Sequence, residues 1–148
     1  MTEEARLRTA QDGQHNLVHL TDDVTAFPYE PSDFMVAYYT VQFVRPSQRQ
    51  QLIDHIYRSL AWGGAFVLFE KVRSPDARFQ DISNALYADF KLEQGYTPDE
   101  IIAKTRSLKG VLEPFSTQGN LDLLRRAGFV DITSVFKYLC FEGTLCIK

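Results

Sequence analysis

Apolar residues recur along this chain with two different periods, and the order of the two predicts a mixed α/β domain. Residues 33–39 read Asp-Phe-Met-Val-Ala-Tyr-Tyr, an almost continuous apolar and aromatic run. So little alternation suits a strand buried on both faces, as in a parallel sheet covered by helices. Residues 65–70 form a second such run. Between the two, after Pro46, Leu52, Ile53, Ile56, Tyr57 and Leu60 recur at helical spacing until Gly63 and Gly64 stop the helix. Phe79, Ile82, Leu86 and Phe90 mark one face of the next helix, which Gly95 can end in a left-handed cap. Thr97-Pro98-Asp99-Glu100 then supplies a capping hydroxyl, a proline at the first helical position and a glutamate three residues after the cap. The helix it opens is expected to run to Gly110. A further helix spans 117–127, Gly128 stops it, and strands over 129–135 and 139–147 close the chain. Upstream, 3–11 predicts a short helix, and 16–20 a short strand before the turn-rich stretch 21–32.

The order strand, helix, strand, helices, strand, strand predicts a three-layer α/β sandwich. Its sheet is expected to be mostly parallel, with the last two strands, joined by a short connection, forming a carboxyl-terminal antiparallel hairpin. No internal repeat or low-complexity tract divides the sequence, and 148 residues suit a single domain over 1–148. Hydrophobic residues at 45% and charged residues at 24% are the usage of an ordinary folded protein. A net charge of -3 gives no general attraction to phosphate backbones or anionic lipid, so direct nucleic-acid binding is not expected. The longest apolar stretch, 65–69, is far short of the roughly 20 residues a membrane helix needs. The first fifteen residues lack a signal-peptide core, and a cytoplasmic protein is the expectation.

Cys140 and Cys146, on one strand, would lie about 20 Å apart, too far for a disulfide, and read as two buried thiols. His15, His19 and His55 show no metal-ligand spacing, and no metal is expected. Nucleophilic catalysis has no visible apparatus, since no serine sits in a G-x-S-x-G elbow and neither cysteine has a histidine nearby in sequence. No catalytic residue can be named.

Three segments together carry a family resemblance: Asp22-Asp23-Val24-Thr25-Ala26-Phe27-Pro28, residues 33–43, and Leu60-Ala61-Trp62-Gly63-Gly64-Ala65-Phe66-Val67-Leu68-Phe69-Glu70. In order and spacing they resemble the class I, Rossmann-like, S-adenosylmethionine-dependent methyltransferases from their third to their fifth strand. The closing hairpin resembles their sixth and seventh. Within that superfamily, Thr40-Val41-Gln42-Phe43, Glu70-Lys71, Asp89-Phe90-Lys91, Gly95-Tyr96 and Arg106-Ser107 are most similar to the carboxy-S-adenosylmethionine synthases. The resemblance implies the carboxyl-terminal part of that fold. It also implies S-adenosylmethionine or carboxy-S-adenosylmethionine as cofactor, and a homodimer. The reaction implied makes carboxy-S-adenosylmethionine from S-adenosylmethionine and prephenate, a small-molecule carboxylate, for modification of a tRNA wobble uridine.

Position by position, the resemblance places Asp23 by the adenine, where a carboxylate can accept from the exocyclic amine, with the Val24 backbone beside the ring. Tyr38 stands where the family has a cofactor-contacting asparagine. Arg106 matches the arginine that holds the additional carboxylate, a task suited to a planar, permanently charged fork. Each residue has a second reading. Asp23 can simply stabilise a turn, Arg106 can belong to a solvated face with Lys104 and Lys109, and Tyr38 and Tyr39 can be packing residues buried after a strand. Glu70-Lys71 can face a ligand crevice or form a surface ion pair.

The family's glycine-rich turn is not in this sequence: Gly13 is the only glycine before Gly63, and no G-x-G occurs. Two functional expectations follow. One is an S-adenosylmethionine-dependent transferase whose glycine-turn segment lies upstream or on another chain, or was lost to a misassigned start. The other is a catalytically inactive, truncated module of the fold used for dimerisation or partner binding. In either case the edge of 33–39 is expected to be covered, by 16–20 or by a second subunit.

Overall fold

The computed structural model describes residues 2–13 and 16–148. Its elements are α1 (Thr2–Gln11), β1 (Ser32–Tyr38), a 3-10 turn (Val41–Phe43), α2 (Pro46–Ser59), β2 (Leu60–Lys71), α3 (Ala77–Glu93), α4 (Pro98–Ser107), α5 (Thr117–Ala127), β3 (Asp131–Tyr138) and β4 (Phe141–Ile147). The strands form one sheet in the order β1-β2-β4-β3. The α2 crossover makes β1 and β2 parallel, and Gly64 lets them approach: a Cβ there would lie 3.0 Å from the Asp33 carbonyl and 2.9 Å from that of Ala61. β4 pairs antiparallel with both β2 and β3. The mixed α/β sandwich is as the sequence predicts, but the balance differs from the mostly parallel sheet expected. Only the β1–β2 ladder is parallel, because the closing hairpin places a reversed strand against β2.

The core lies on one face. Alternation along β2 points Leu60, Phe66 and Leu68 at α2 and α5, where they meet Leu52, Ile53, Ile56, Leu123 and Leu124. Phe129 joins this core, stacked on Phe66 at 6.0 Å and edge-on to Tyr57 at 4.9 Å. On the other face α3 covers only the end near Lys71, with Tyr87 against Phe141 and Phe90 against Tyr138. Phe34 and Val36, which point that way, remain 60% and 50% exposed. The expected burial of 33–39 on both faces is therefore corrected: one face of β1 is packed and the other is open. The apolar stripe of α3 is open too, with Phe79, Ile82 and Leu86 about half exposed.

Residues 16–20 form no strand, and among the described residues β1 pairs with β2 alone. The Arg6 guanidinium donates to the His19 carbonyl at 3.1 Å, and Thr9 Oγ1 lies 2.7 Å from His19 Nε2. These contacts hold the segment to α1, so it does not fill the edge of β1 as one expectation had it. The α4 cap forms as its sequence requires. The Glu100 N–H donates to Thr97 Oγ1, and the Glu100 carboxylate accepts from the Thr97 N–H at 2.8 Å. The helix ends at Ser107, short of Gly110, which instead takes φ +73° in the following turn.

Candidate functional site

The site is built where β1 and β2 end. Tyr39 turns the chain out of β1 with φ +53°, while its N–H donates to the Phe69 carbonyl at 2.9 Å. The 3-10 turn that follows is tied to the end of β2 by two reciprocal side-chain bonds. Glu70 Oε1 accepts the Val41 N–H at 3.0 Å, and Gln42 Oε1 accepts the Lys71 N–H at 2.9 Å. Arg49, buried in α2, donates from Nε to the Val44 carbonyl at 2.8 Å and from Nη2 to the Gln42 carbonyl at 3.1 Å. Its guanidinium lies 4.3 Å from the centre of the Phe115 ring. Burial pushes the Glu70 carboxyl up to about 7, against the pull of the Val41 and Gln42 N–H groups and of Arg49.

Glu70 and Lys71 thus separate across the strand. Glu70 is buried on the core side, and Lys71 enters a cleft of about 1000 Å³ on the other. Neither half of the pair is a surface ion pair. Tyr39, Tyr87, Tyr96 and Phe141 contribute aromatic surface to this cleft, between the 3-10 turn, α3, α4 and the start of β4. Its charge is one-sided. Lys71, Arg73, Lys91, Lys104, Arg106 and Lys109 line it, against Glu100 as the one carboxylate among the described lining residues. Lys71 Nζ and Lys91 Nζ sit 4.6 Å and 4.2 Å from the centre of the Tyr87 ring. Burial, together with neighbouring Lys71 and Lys104, lowers the Lys91 ammonium from its ordinary value. Burial likewise pushes up the Cys140 thiol, although Lys71 and Lys91 pull the other way.

Of the residues singled out in the sequence, Arg106 lines this cleft. Val24 lines a second cavity of about 310 Å³ with Tyr29, Met35, Ala37 and Val41, on the α2 side of β1. The carboxyl end of β1 is the wall between the two: Tyr39 and Gln42 face the larger cavity, Ala37 and Thr40 the smaller. Asp23 is exposed in the preceding turn, its Oδ1 accepting from the Thr25 N–H and hydroxyl at 2.8 Å each, which holds its carboxyl below the usual range. The turn role is realised, and Oδ2 makes no hydrogen bond to the described residues. Tyr38 is not buried, as the packing reading required, but 66% exposed, with its ring edge-on to Tyr39 and Phe69. It lies on the open face of the sheet, where nothing covers it.

Sequence reasoning missed Arg49, Tyr87 and the role of Lys91. Tyr87 and Lys91 are four apart on α3, a spacing that places them on one helix face. No comparable signal marks Arg49, a charged residue in an ordinary amphipathic helix. Cys140 and Cys146 are free and buried, and burial pushes Cys146 up to about 12. Among the described residues no group of three His, Cys, Asp or Glu side chains could hold a metal; His15 lies outside them. No described helix is long and apolar enough to cross a membrane.

Similarity to known proteins bears on this geometry. No family model matches the chain. A carboxy-S-adenosyl-L-methionine synthase of Staphylococcus epidermidis is 37% identical over 133 residues, 90% of this chain and 58% of that protein. One of Campylobacter jejuni is 43% identical over 122 residues, 82% of this chain and 52% of the relative. The chain is a homologue of the carboxy-S-adenosyl-L-methionine synthases. It spans little more than half the length of these relatives. The S-adenosylmethionine-dependent methyltransferase SibL matches 99% of the chain with a TM-score of 0.68 at 16% identity, the chain covering 40% of it. Human N-acetylserotonin methyltransferase, solved in complex with S-adenosylmethionine, matches 91% of the chain at TM-score 0.57 and 16% identity, with 36% of the enzyme covered. This homologue of the synthases therefore has part of the methyltransferase fold.

Proposed function

We propose that the chain forms the carboxylate-binding cleft and part of the cofactor site of an S-adenosylmethionine-dependent transferase of the carboxy-S-adenosylmethionine synthase kind. The observation that carries this reading is the excess of positive charge, Arg106 included, in a cleft at the carboxyl ends of β1 and β2. That is where open α/β sheets usually bind their ligands. The relatives' name supplies the chemistry, and the cleft supplies a place for a small carboxylate.

In this proposal the adenine of S-adenosylmethionine or carboxy-S-adenosylmethionine lies by the apolar cavity of Val24, with the free oxygen of Asp23 toward its amine. Tyr38 flanks the cofactor from the end of β1, and Arg106 holds the additional carboxylate. The cofactor supplies the electrophilic sulfonium; the chain's own groups bind and orient. The methionine end would be held by a glycine-rich segment outside these residues. A cytoplasmic homodimer serving tRNA modification, without direct contact to nucleic acid or membrane, completes the proposal. The open apolar surface of Phe34, Val36 and the α3 stripe supports the dimer.

The inactive-module reading draws on Tyr38 and the absent G-x-G, and the uncompensated cleft weighs against it. Calorimetric titration of the chain with both cofactors, with solution mass determined on the same sample, tests the proposal. Binding weaker than a complete site would give is expected from the chain alone, and micromolar binding would mean that a second copy completes the site. Arg106→Ala should weaken carboxy-S-adenosylmethionine roughly tenfold or more while sparing S-adenosylmethionine, as for one charge-assisted contact. Equal loss for both ligands removes the role of Arg106. No heat from the folded chain with either ligand removes the transferase reading of these residues.

A further inference from the structure

Three ammonium groups, Lys71, Lys91 and Lys104, line the cleft, and Lys71 and Lys104 both disfavour the charge on Lys91. Like charges gathered in this way ordinarily have carboxylates between them. Here they do not. Ion pairs among the described residues join Arg6 to Glu3, Arg8 to Glu4, Arg125 to Asp122 and Lys137 to Glu142, none of them in the cleft. Glu100, the one lining carboxylate, is committed to the α4 capping box, accepting from both the N–H and the hydroxyl of Thr97.

Two of these cations are also held in place. Lys71 has its backbone N–H fixed by Gln42 Oε1, and its Nζ rests against Tyr87. Lys91 rests against the same ring from α3. That ring is itself fixed edge-on to Phe141 at 5.3 Å and stacked with Phe90 at 6.4 Å. Long lysine side chains usually lose much rotamer freedom on binding an anion; a shared aromatic platform removes part of that loss beforehand. Lys71 and Lys91 are half-buried, whereas Arg106, Lys104 and Lys109 are exposed. An anion beside the first two would be shielded from water more than one beside Arg106, and its attraction correspondingly less screened.

We infer that Lys71 and Lys91, seated on Tyr87, form a second anion subsite in the cleft, separate from Arg106. The cleft then takes a small molecule with two anionic groups, one for each subsite. This inference rests on the reading of Arg106 as a carboxylate holder.

The test uses the 148-residue chain with ¹³C at lysine Cε, titrated with succinate, which has two carboxylates, and with butyrate, which has one at the same length. Sodium chloride at equal ionic strength controls for screening. Lys71→Met and Lys91→Met assign the resonances, and their remaining lysine signals report whether each variant is folded. The Lys71 and Lys91 signals are expected to move with succinate beyond the salt control. Lys91→Met should weaken succinate about tenfold, the size of one ionic hydrogen bond, and leave butyrate within twofold; Lys91→Arg should restore most of the loss. Arg106→Ala should weaken both anions. If both methionine variants hold succinate as the unmodified chain does while Arg106→Ala loses it, the lysine subsite is wrong and the Arg106 reading stands. If Arg106→Ala changes neither anion but Lys91→Met loses succinate, the reading of Arg106 fails and the lysine subsite survives. Lysine signals that move no further with succinate than with salt overturn the inference.

Discussion

The two faces of the sheet share their strands and differ in what covers them. On the α2 and α5 side, Ile53, Phe66 and Leu124 are wholly buried, and even the charged Arg49 and Glu70 have hydrogen-bond partners. On the other side Phe34, Val36 and Tyr38 are half exposed or more, and helices approach only the end where Lys71, Phe141 and Tyr138 meet α3. The same alternation of side chains along β1 and β2 serves both faces. One face therefore holds the chain together, and the other presents the cationic cleft and an uncovered apolar surface.

The sharpest way to break this comparison is truncation on the packed side. Phe66→Ala should cost about 3–5 kcal/mol in urea unfolding, as for other buried aromatics. A loss below about 1 kcal/mol would mean that this face is not the core. Next in size is Glu70. Its carboxyl is raised to about 7 from an unfolded value near 4.5, so between those limits the folded chain keeps a proton that the unfolded chain has released. Its contribution is complete below about pH 4.5 and is lost as pH rises through 7, by up to roughly 3 kcal/mol at about 1.4 kcal/mol per unit. Glu70→Gln should flatten the pH dependence of the urea midpoint in that window. Parallel pH profiles for the two proteins would show that the buried carboxyl does not titrate there.

Thr97→Ala tests the far side of the cleft. Loss of the α4 cap is worth about 1 kcal/mol, and it frees Glu100 to neutralise the cleft, so anion binding should weaken as well. Unchanged anion affinity in a variant of reduced stability would separate the cap from the charge balance. The smallest effect on stability is expected on the open face. Phe34→Ser with Val36→Thr should move the unfolding midpoint by about 0.5 kcal/mol or less, as for exposed positions, while giving a monomeric solution mass if the unmodified chain is the proposed dimer. A large loss of stability together with an unchanged mass would show that this face is covered within one chain.

Much of the fold was legible because its signals are local. The α4 cap is written in four consecutive residues, and α2 and α5 follow from helical spacing and flanking Pro46 and Gly128. Two local signals misled. Residues 16–20 have strand composition, yet a strand exists only where another strand pairs with it, and His19 bonds to α1 instead. The run 33–39 is apolar throughout, and apolarity does not say whether a second layer lies over it. Arg106 was expected to be of interest from its family position, and it lines the cleft. Lys71 and Lys91 could not be assigned together, because nothing in the sequence relates the end of β2 to the last turn of α3.

The sequence by itself determined where the main helices lie, the cap that opens α4, the class of fold and the kinship to the synthases, since these depend on neighbours within a few residues or on matched motifs. Only the tertiary structure decided which face of the sheet is packed, that Glu70 turns inward while Lys71 turns out, and that six cations share one cleft. Those outcomes depend on contacts between residues far apart in the chain, where packing and mutual electrostatics, and not local preference, set the free energy.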